Sequence, residues 1–346
     1  MLRVVAAMAM MAAGLFTVPY CCQSLRQVHH LILACVIFGA IHALFLSVCV
    51  IAWNVDRDGW TSYVSDIYGR FMGGFKHPNQ TGIALSCTIP LALAVVLDKD
   101  WYSIRWRQFA AAATMIMLMG LVATGSKANL LVSGLAILVM FASFVIQRRS
   151  FIQSLKIIGA AIGLISLATV LLAASLSVLS SNTYHIMEGL VQGDFEQIRA
   201  IQHRRIIWNE SIEIGMRDPW RGTGAGSRLA VAGMNDSFSH SHNWLIDYFR
   251  SLGIPGLVLV TVLVGLLAQL AIHVSRSAQF HVIEYSRFVR IGVGFGLVAY
   301  LASNMSSDSA GPSTSSFLGI ASGLCFALLV DPYSYLTPRV KMSRRQ

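Results

Sequence analysis

Leu31-Ile-Leu-Ala-Cys-Val-Ile-Phe-Gly-Ala-Ile-His-Ala-Leu-Phe-Leu-Ser-Val-Cys-Val-Ile-Ala-Trp53 runs for 23 residues without an Asp, Glu, Lys or Arg. A helix of about 20 apolar residues is long enough to cross the hydrocarbon of a bilayer, and a soluble domain rarely holds so long a block. The block is one of several. Others cover 3–20, 80–97, 108–124, 129–147, 157–179, 254–274, 291–308 and 314–331. The spacing predicts an all-α, polytopic transmembrane helix bundle of about nine spans, with residues 1–346 forming a single integral membrane domain. One long polar stretch, 180–243, is the only place for a folded piece outside the bilayer. Arg3 before the first apolar run also suits a signal peptide, but no small-x-small cleavage site follows; the run ends in Val18-Pro19-Tyr20-Cys21.

Composition agrees. Of 346 residues, 55% are hydrophobic and only 12% charged, about half the usual globular share of charge. The net charge of +10 does not point to nucleic acid, because the basic residues lie between apolar blocks and form no soluble basic face. They suit a bilayer with anionic lipid on one side. The six cysteines include no CxxC pair and no His/Cys cluster, so neither a zinc site nor a disulfide framework is indicated.

Lys and Arg also set the expected orientation. With the long loop outside, the inward segments carry 14 basic residues, among them Arg105, Arg107, Arg148, Arg149 and Arg287, and the short outward segments carry 6. The positive-inside rule therefore puts the 180–243 loop on the outer face. The same count puts the N-terminus outside as well. Within the loop, Arg204 to Met216 reads as an amphipathic helix, ended by Pro219 and the run Gly222-Thr-Gly-Ala-Gly226. The stretch Trp244 to Leu252 is amphipathic and is expected at the interface, before the next span turns in.

Four places carry chemistry. His242, in Ser239-His-Ser-His-Asn-Trp-Leu-Ile-Asp247, lies where the long loop returns to the membrane. A neutral imidazole can take a hydroxyl proton near pH 7, and Asn243 can orient it or bind a sugar hydroxyl. An interfacial histidine that only anchors the loop fits the local pattern equally, and His240 is a weaker candidate of the same kind. Arg204 and Arg205, in Gln202-His-Arg-Arg-Ile-Ile-Trp208, make a phosphate clamp or a solvated basic helix start. The two point about 100° apart on a helix, so only one of them is expected to face a site. Lys127, in Thr124-Gly-Ser-Lys-Ala-Asn129, either snorkels from a helix end or meets an anion at a helix start. Finally, Gly69-Arg-Phe-Met-Gly-Gly-Phe-Lys-His-Pro-Asn79 places Arg70, Lys76 and His77 in an outward glycine-rich turn. Asp308, near the end of the eighth block, is a further acid at a membrane boundary. There is no HExxH and no nucleotide-binding loop after a strand.

In this order the pieces resemble the O-antigen ligase and polysaccharide polymerase superfamily of bacterial inner membranes. His242-Asn243, nine residues, then Gly253-Ile-Pro-Gly256 is similar to the family's H, N/S/Q, nine residues and GxxG. Arg204 with Trp208 resembles R-x3-W, and Pro219-Trp-Arg-Gly-Thr-Gly-Ala-Gly226 resembles the following P-x2-G-x-G-x-G turn. His77-Pro-Asn79 and Thr124-Gly-Ser-Lys127 resemble two earlier motifs. Two features depart from the pattern: many members carry arginine where Lys127 stands, lysine being like the exopolysaccharide-polymerase branch, and members often have more spans.

The resemblance implies a glycosyltransferase in the bacterial inner membrane with its site facing the periplasm. The donor would be a glycan on undecaprenyl diphosphate, and the acceptor a hydroxyl of lipid A-core or of a growing glycan. His242 and Arg204 would be catalytic. Lys127, Arg205, Asn243, Arg70, Lys76 and His77 would bind substrate, with no metal and no cofactor. Two other functions stay open: a flippase for lipid-linked saccharides, and a non-catalytic subunit of a polysaccharide assembly complex.

Overall fold

The computed structural model of the protein describes residues 2–22, 25–56, 64–65, 70–73, 75, 77–147, 199–224, 227, 229–230, 237–238, 241, 243–277, 287–304 and 312–329. The expected span at 157–179, together with His240, His242, Lys76 and Asp308, lies outside the described residues. Among the described residues the chain is helical: α1 (Leu2–Cys21), α2 (Leu25–Val55), α3 (Pro78–Leu97), α4 (Ile104–Ala123), α5 (Lys127–Gln147), α6 (Arg199–Arg217), α7 (Trp244–Ser277), α8 (Arg287–Asn304) and α9 (Pro312–Leu329). Two antiparallel ribbons add two residues per strand. They are β1 (Val64–Ser65) with β2 (Arg70–Phe71), and β3 (Leu229–Ala230) with β4 (Ser237–Phe238). A reading based on apolar blocks does not see such ribbons, because they lie in the connecting loops.

Among the described residues, four helices are long and apolar enough to cross a membrane, over Arg26–Trp53, Pro78–Leu97, Ile104–Ala123 and Trp244–Ser275. Shorter apolar stretches occur at Ala12–Cys21, Ala128–Ala142 and Phe288–Asn304. The outer face of α2 supports the membrane reading. Ile41, Leu44, Val48 and Ile51 recur at helical spacing and are all exposed. A stripe of this size would be a liability in water and is ordinary against lipid.

The center of the bundle is α3, 89% of whose spanning window is buried, against 22% for α7. It packs on α2, α4, α5 and α8. The sequence equips it for this. His77 caps it through Nδ1, which accepts the Asn79 N–H at 3.1 Å, and Pro78 sits where a helix does not need its N–H. Small residues let α8 approach closely. The Cα of Gly292 lies against the Pro90 carbonyl and Ala94, and that of Gly296 against the Cys87 carbonyl. The same device joins the two ends of the described chain: Gly14 of α1 meets Gly319, and Gly323 meets the Gly14 carbonyl.

At the other end of α3, the Asp98 carboxylate accepts the N–H groups of Asp100 and Trp101, and Arg107 Nε donates to the Val96 carbonyl at 2.8 Å. This closes the turn into α4.

The helix expected from Arg204 begins earlier, at Arg199, because nothing in Arg199-Ala-Ile-Gln-His203 breaks a helix. The expected turn-in after Leu252 is a break inside α7 at Gly253, with φ 66° and ψ −156°.

Candidate functional site

The residues flanking position 242 are held from several directions. Trp208, on α6, donates its indole N–H to the Ser241 carbonyl at 2.8 Å. The Ser241 N–H donates to Asp247 Oδ1 at 2.6 Å. The Ser241 hydroxyl donates to the Asn243 carbonyl at 3.1 Å. Asn243 then caps α7, its Oδ1 accepting the N–H groups of Leu245 at 2.9 Å and Ile246 at 3.3 Å. Asp247 is paired with Arg250 at 3.5 Å, one turn on, and both side chains are nearly excluded from solvent. Ser241 and Asn243 are therefore held by an indole, a carboxylate and a helix cap.

The nine-residue spacing in the His-Asn…Gly-x-x-Gly pattern has a structural meaning. It is the length of one short helix, from the cap at Asn243 to the break at Gly253. The break leaves the Arg250 and Ser251 carbonyls without their usual helical partners. Ile254 donates instead to the Pro219 carbonyl at 2.7 Å, and Pro255 has no N–H. The turn after α6 supplies the missing donors: Thr223 N–H reaches Arg250 O and Gly224 N–H reaches Ser251 O, each at 2.9 Å. Both turns need glycine. Gly222 has φ +65°, and a Cβ there would lie 2.6 Å from the Leu252 nitrogen; a Cβ on Gly253 would collide with the Pro219 carbonyl. The P-x2-G-x-G and G-x-x-G motifs are thus two halves of one interlock. With Gly215 seated against the Phe249 ring, it holds α6 alongside the first segment of α7.

A second cluster joins the two earlier motifs. Ser126 Oγ donates to Asn79 Oδ1 at 3.1 Å, and Asn129 Nδ2 donates to Ser126 Oγ at 2.7 Å and to the Asn79 carbonyl at 3.3 Å. The Ser86 hydroxyl reaches Asn129 Oδ1 at 3.5 Å. All four residues are buried. Gly82 is required here, since a Cβ would displace the Asn129 amide. Buried polar groups hold their geometry only when mutually satisfied, so this network fixes the starts of α3 and α5 against each other. Lys127, the first residue of α5, follows directly on Ser126.

Helix α8 relates the two clusters. Gly292 against Pro90 and Gly296 against Cys87 set an antiparallel register on α3. Continued toward the C-terminus of α8, that register puts Tyr300 level with Ile83 and Asn304 level with Asn79. Tyr300 meets Trp244, the first residue of α7, edge-on with ring centers 5.9 Å apart. The starts of α3, α5 and α7 and the end of α8 therefore share one level of the bundle. Helix N-termini carry positive partial charge, so three of them at one level favor an anion there.

Of the residues singled out in the sequence, Arg204 is half-buried on α6, one turn before Trp208, and Arg205 is exposed. Arg70 lies on β2, paired in register with Ser65. His77 and Asn243 both act as helix caps. Sequence reasoning missed the Asp247–Arg250 pair and the Ser126–Asn129–Asn79 network. A charged pair three residues apart inside the nine-residue spacer was the available signal for the first. Among the described residues no group of three His, Cys, Asp or Glu side chains is placed to hold a metal.

Residues 112–261 match the family described as O-antigen ligase, a stretch that includes α5, α6 and the whole Trp208–Ser241–Gly253 assembly. No curated protein matches the chain.

Proposed function

We propose that this multi-pass membrane protein, whose residues 112–261 match the O-antigen ligase family, transfers a glycan from undecaprenyl diphosphate to an acceptor hydroxyl at the periplasmic face. The observation that carries the reading is the hold on the two sequence neighbors of His242: Ser241 by Trp208 and Asp247, and Asn243 by its cap on α7. A chain held this firmly on both sides suits a side chain that must meet a reacting atom within a fraction of an ångström.

In the proposed reaction the acceptor oxygen attacks the anomeric carbon from the side opposite the diphosphate. The new C–O bond forms as the bond to the phosphate oxygen breaks, so the configuration inverts. His242 accepts or orients the acceptor proton. Arg204 and Lys127 bind the diphosphate and stabilize the negative charge that collects on it as it leaves. The shared level of the α3, α5 and α7 N-termini supports an anion at that depth. Arg205, Arg70 and Lys76 add positive charge to the approach, and His77 and Asn243 shape the site through the helices they cap. No cofactor or metal enters this scheme. The chain would span the inner membrane about nine times with the 180–243 loop in the periplasm, as the 14-to-6 distribution of basic residues supports.

The test is the glycan profile on undecaprenyl diphosphate in cells carrying wild-type or His242→Ala protein at matched levels. Long lipid-linked chains accumulating in the variant identify a ligase acting on lipid A-core. Single repeat units accumulating identify a polymerase acting on a growing glycan. An unchanged profile removes His242 from the chemistry and returns the flippase and assembly-subunit readings to the front.

A further inference from the structure

The turn from α3 into α4 is built as a platform. Trp101 stacks on His29 of α2, with ring centers 4.8 Å apart and planes 23° from parallel. His29 is fixed in turn by Nδ1, which pairs with the Tyr102 hydroxyl at 2.6 Å, and both residues are buried. The upper indole is 45% exposed. A second indole, Trp106, stands edge-on to Phe109 at 5.8 Å.

These aromatics line an opening between α2 and α4. The two helices run parallel and close on each other through small residues: a Cβ added to Gly120 would lie 3.0 Å from Ala43, and one on Gly39 would meet Met117 Sδ. Followed back toward the helix starts, that register puts Arg26 level with Ile104 and His29 level with Trp106. Trp106 and Phe109 fall within about 40° of Gly120 around α4, on the side that meets α2. Yet they are 40% and 38% exposed. The seam that is shut at Gly120 is therefore open at its other end.

The rim of this opening is cationic. Arg26 lies one turn before His29, Lys99 two residues before Trp101, and Arg105 beside Trp106; all three are exposed. Among the described residues none of the three is paired with a carboxylate. Of the two acids in the turn, Asp98 is buried and accepts the N–H groups of Asp100 and Trp101, which leaves Asp100 as the one exposed. Helix α4 also starts here without an acid in its first turn or a side-chain cap. From Asn79 to Asp98 the axis of α3 rises about 28 Å, nearly the thickness of bilayer hydrocarbon, about 30 Å. A head group at this turn thus belongs to the leaflet opposite the one at the Asn79 level.

We propose that this cleft seats an acidic phospholipid, with its phosphate among Arg26, Lys99 and Arg105 and the start of an acyl chain against Trp106 and Phe109. Unpaired cations at the rim select negative charge, and indoles suit the depth of the glycerol. The cleft joins α2 to the α3–α4 turn, so the bound lipid bridges two elements. The proposal is independent of the transferase reading.

The full-length protein is reconstituted in phosphatidylcholine vesicles containing a trace of phosphatidylglycerol with a photoreactive diazirine near the start of one acyl chain. A phosphatidylcholine carrying the same diazirine is the second probe. The acidic probe is expected to label peptides spanning Arg26–Leu33 and Lys99–Phe109 about tenfold more than the neutral one, and unlabeled phosphatidylglycerol should chase it. Each exposed cation near a membrane surface contributes a factor of about five in affinity, so the concentration needed for half-maximal labeling should rise about fivefold in Arg105→Gln and about a hundredfold in the variant carrying Arg26→Gln, Lys99→Gln and Arg105→Gln. Trp101→Leu, which keeps all three charges, should raise it as well. The control is Arg217→Gln with Arg221→Gln, two exposed cations elsewhere, which should leave it as in wild type. Melting curves in detergent without added lipid show that each variant is folded. Equal labeling by the two probes overturns the proposal, as does an equal loss in the control, wild-type labeling in Trp101→Leu, or a cross-link through these peptides to a second copy of the chain.

Discussion

Trp208 and Ser241 are 33 residues apart in the chain and joined by one hydrogen bond, from the indole N–H to the peptide carbonyl at 2.8 Å. That carbonyl belongs to the peptide linking Ser241 to position 242. The N–H on the other side of Ser241 is held by Asp247. The tryptophan of the R-x3-W pattern therefore acts on the backbone of Ser241, the residue before the histidine. Trp208→Phe keeps most of the apolar ring and deletes the donor. Leaving a largely buried carbonyl unpaired costs about 1–3 kcal/mol. If the cost falls on the reacting geometry, kcat drops by about tenfold or more while KM changes little. Transfer rates measured with purified lipid-linked donor, at equal protein in the membrane, check this. A wild-type rate in Trp208→Phe would show that the tether only supports the fold.

Asp247 and Arg250 form a nearly buried pair, and Asp247 has a second duty toward Ser241. Asp247→Ala removes the carboxylate from a buried ion pair, a change that costs about 3–5 kcal/mol in such pairs. Asp247→Asn keeps an acceptor for the Ser241 N–H but loses the charge. The expected order of thermal stability in detergent is wild type, then Asp247→Asn, then Asp247→Ala. Adding Arg250→Met to Asp247→Ala should recover part of the loss, because the buried cation is then removed along with its carboxylate. Activity should not recover with stability, since Ser241 is still released. Recovery of both would mean that the pair matters for folding alone.

The interlock of the two glycine turns makes a sharper claim about position than about residue type. Gly253→Ala puts a Cβ into the Pro219 carbonyl at a positive φ, and Gly222→Ala puts one 2.6 Å from the Leu252 nitrogen at φ +65°. Strained backbone of this kind costs about 1–3 kcal/mol before the collision is counted. Gly265, on the same helix as Gly253, serves as the control, because a Cβ added there would meet nothing within 4 Å. Gly253→Ala and Gly222→Ala should lower the melting temperature and the membrane level of the protein, and Gly265→Ala should leave both within error of wild type. Equal behavior of all three would contradict the interlock.

What could be read in the sequence follows from the range of each signal. Apolar blocks report on one helix at a time, and the helices α1 to α5 begin and end within a few residues of the blocks. The break at Gly253 was legible because Gly253 and Pro255 act locally. The Ser126–Asn79 bond was not, because 47 residues separate partners whose side chains are ordinary polar residues at helix starts. The same holds for Trp208, whose partner is a backbone carbonyl and leaves no trace in residue type. Asn243 and His77 were expected to touch substrate. Their side chains cap α7 and α3, a role that residue identity alone does not separate from binding.

Lys127 provides the last test, because its surroundings set its position more firmly than its own length does. Ser126, immediately before it, is held by Asn79 and Asn129, and this places the first turn of α5 against the first turn of α3. In the proposed function the lysine meets a diphosphate as a point charge. Lys127→Arg keeps the charge and Lys127→Met removes it. The methionine variant should lose about a hundredfold in kcat/KM, a typical loss for one charged contact to a developing anion, while the arginine variant retains most of the activity. Asn129→Leu should reproduce part of the methionine phenotype without touching the charge, because the network that aims position 127 is broken. It should also lower thermal stability, as Ser86, Ser126 and Asn79 lose a buried partner. Kinetics and melting curves for the three variants separate the roles. Loss of stability with full activity in Asn129→Leu would show that the network does not aim Lys127, and full activity in Lys127→Met would remove Lys127 from the diphosphate site.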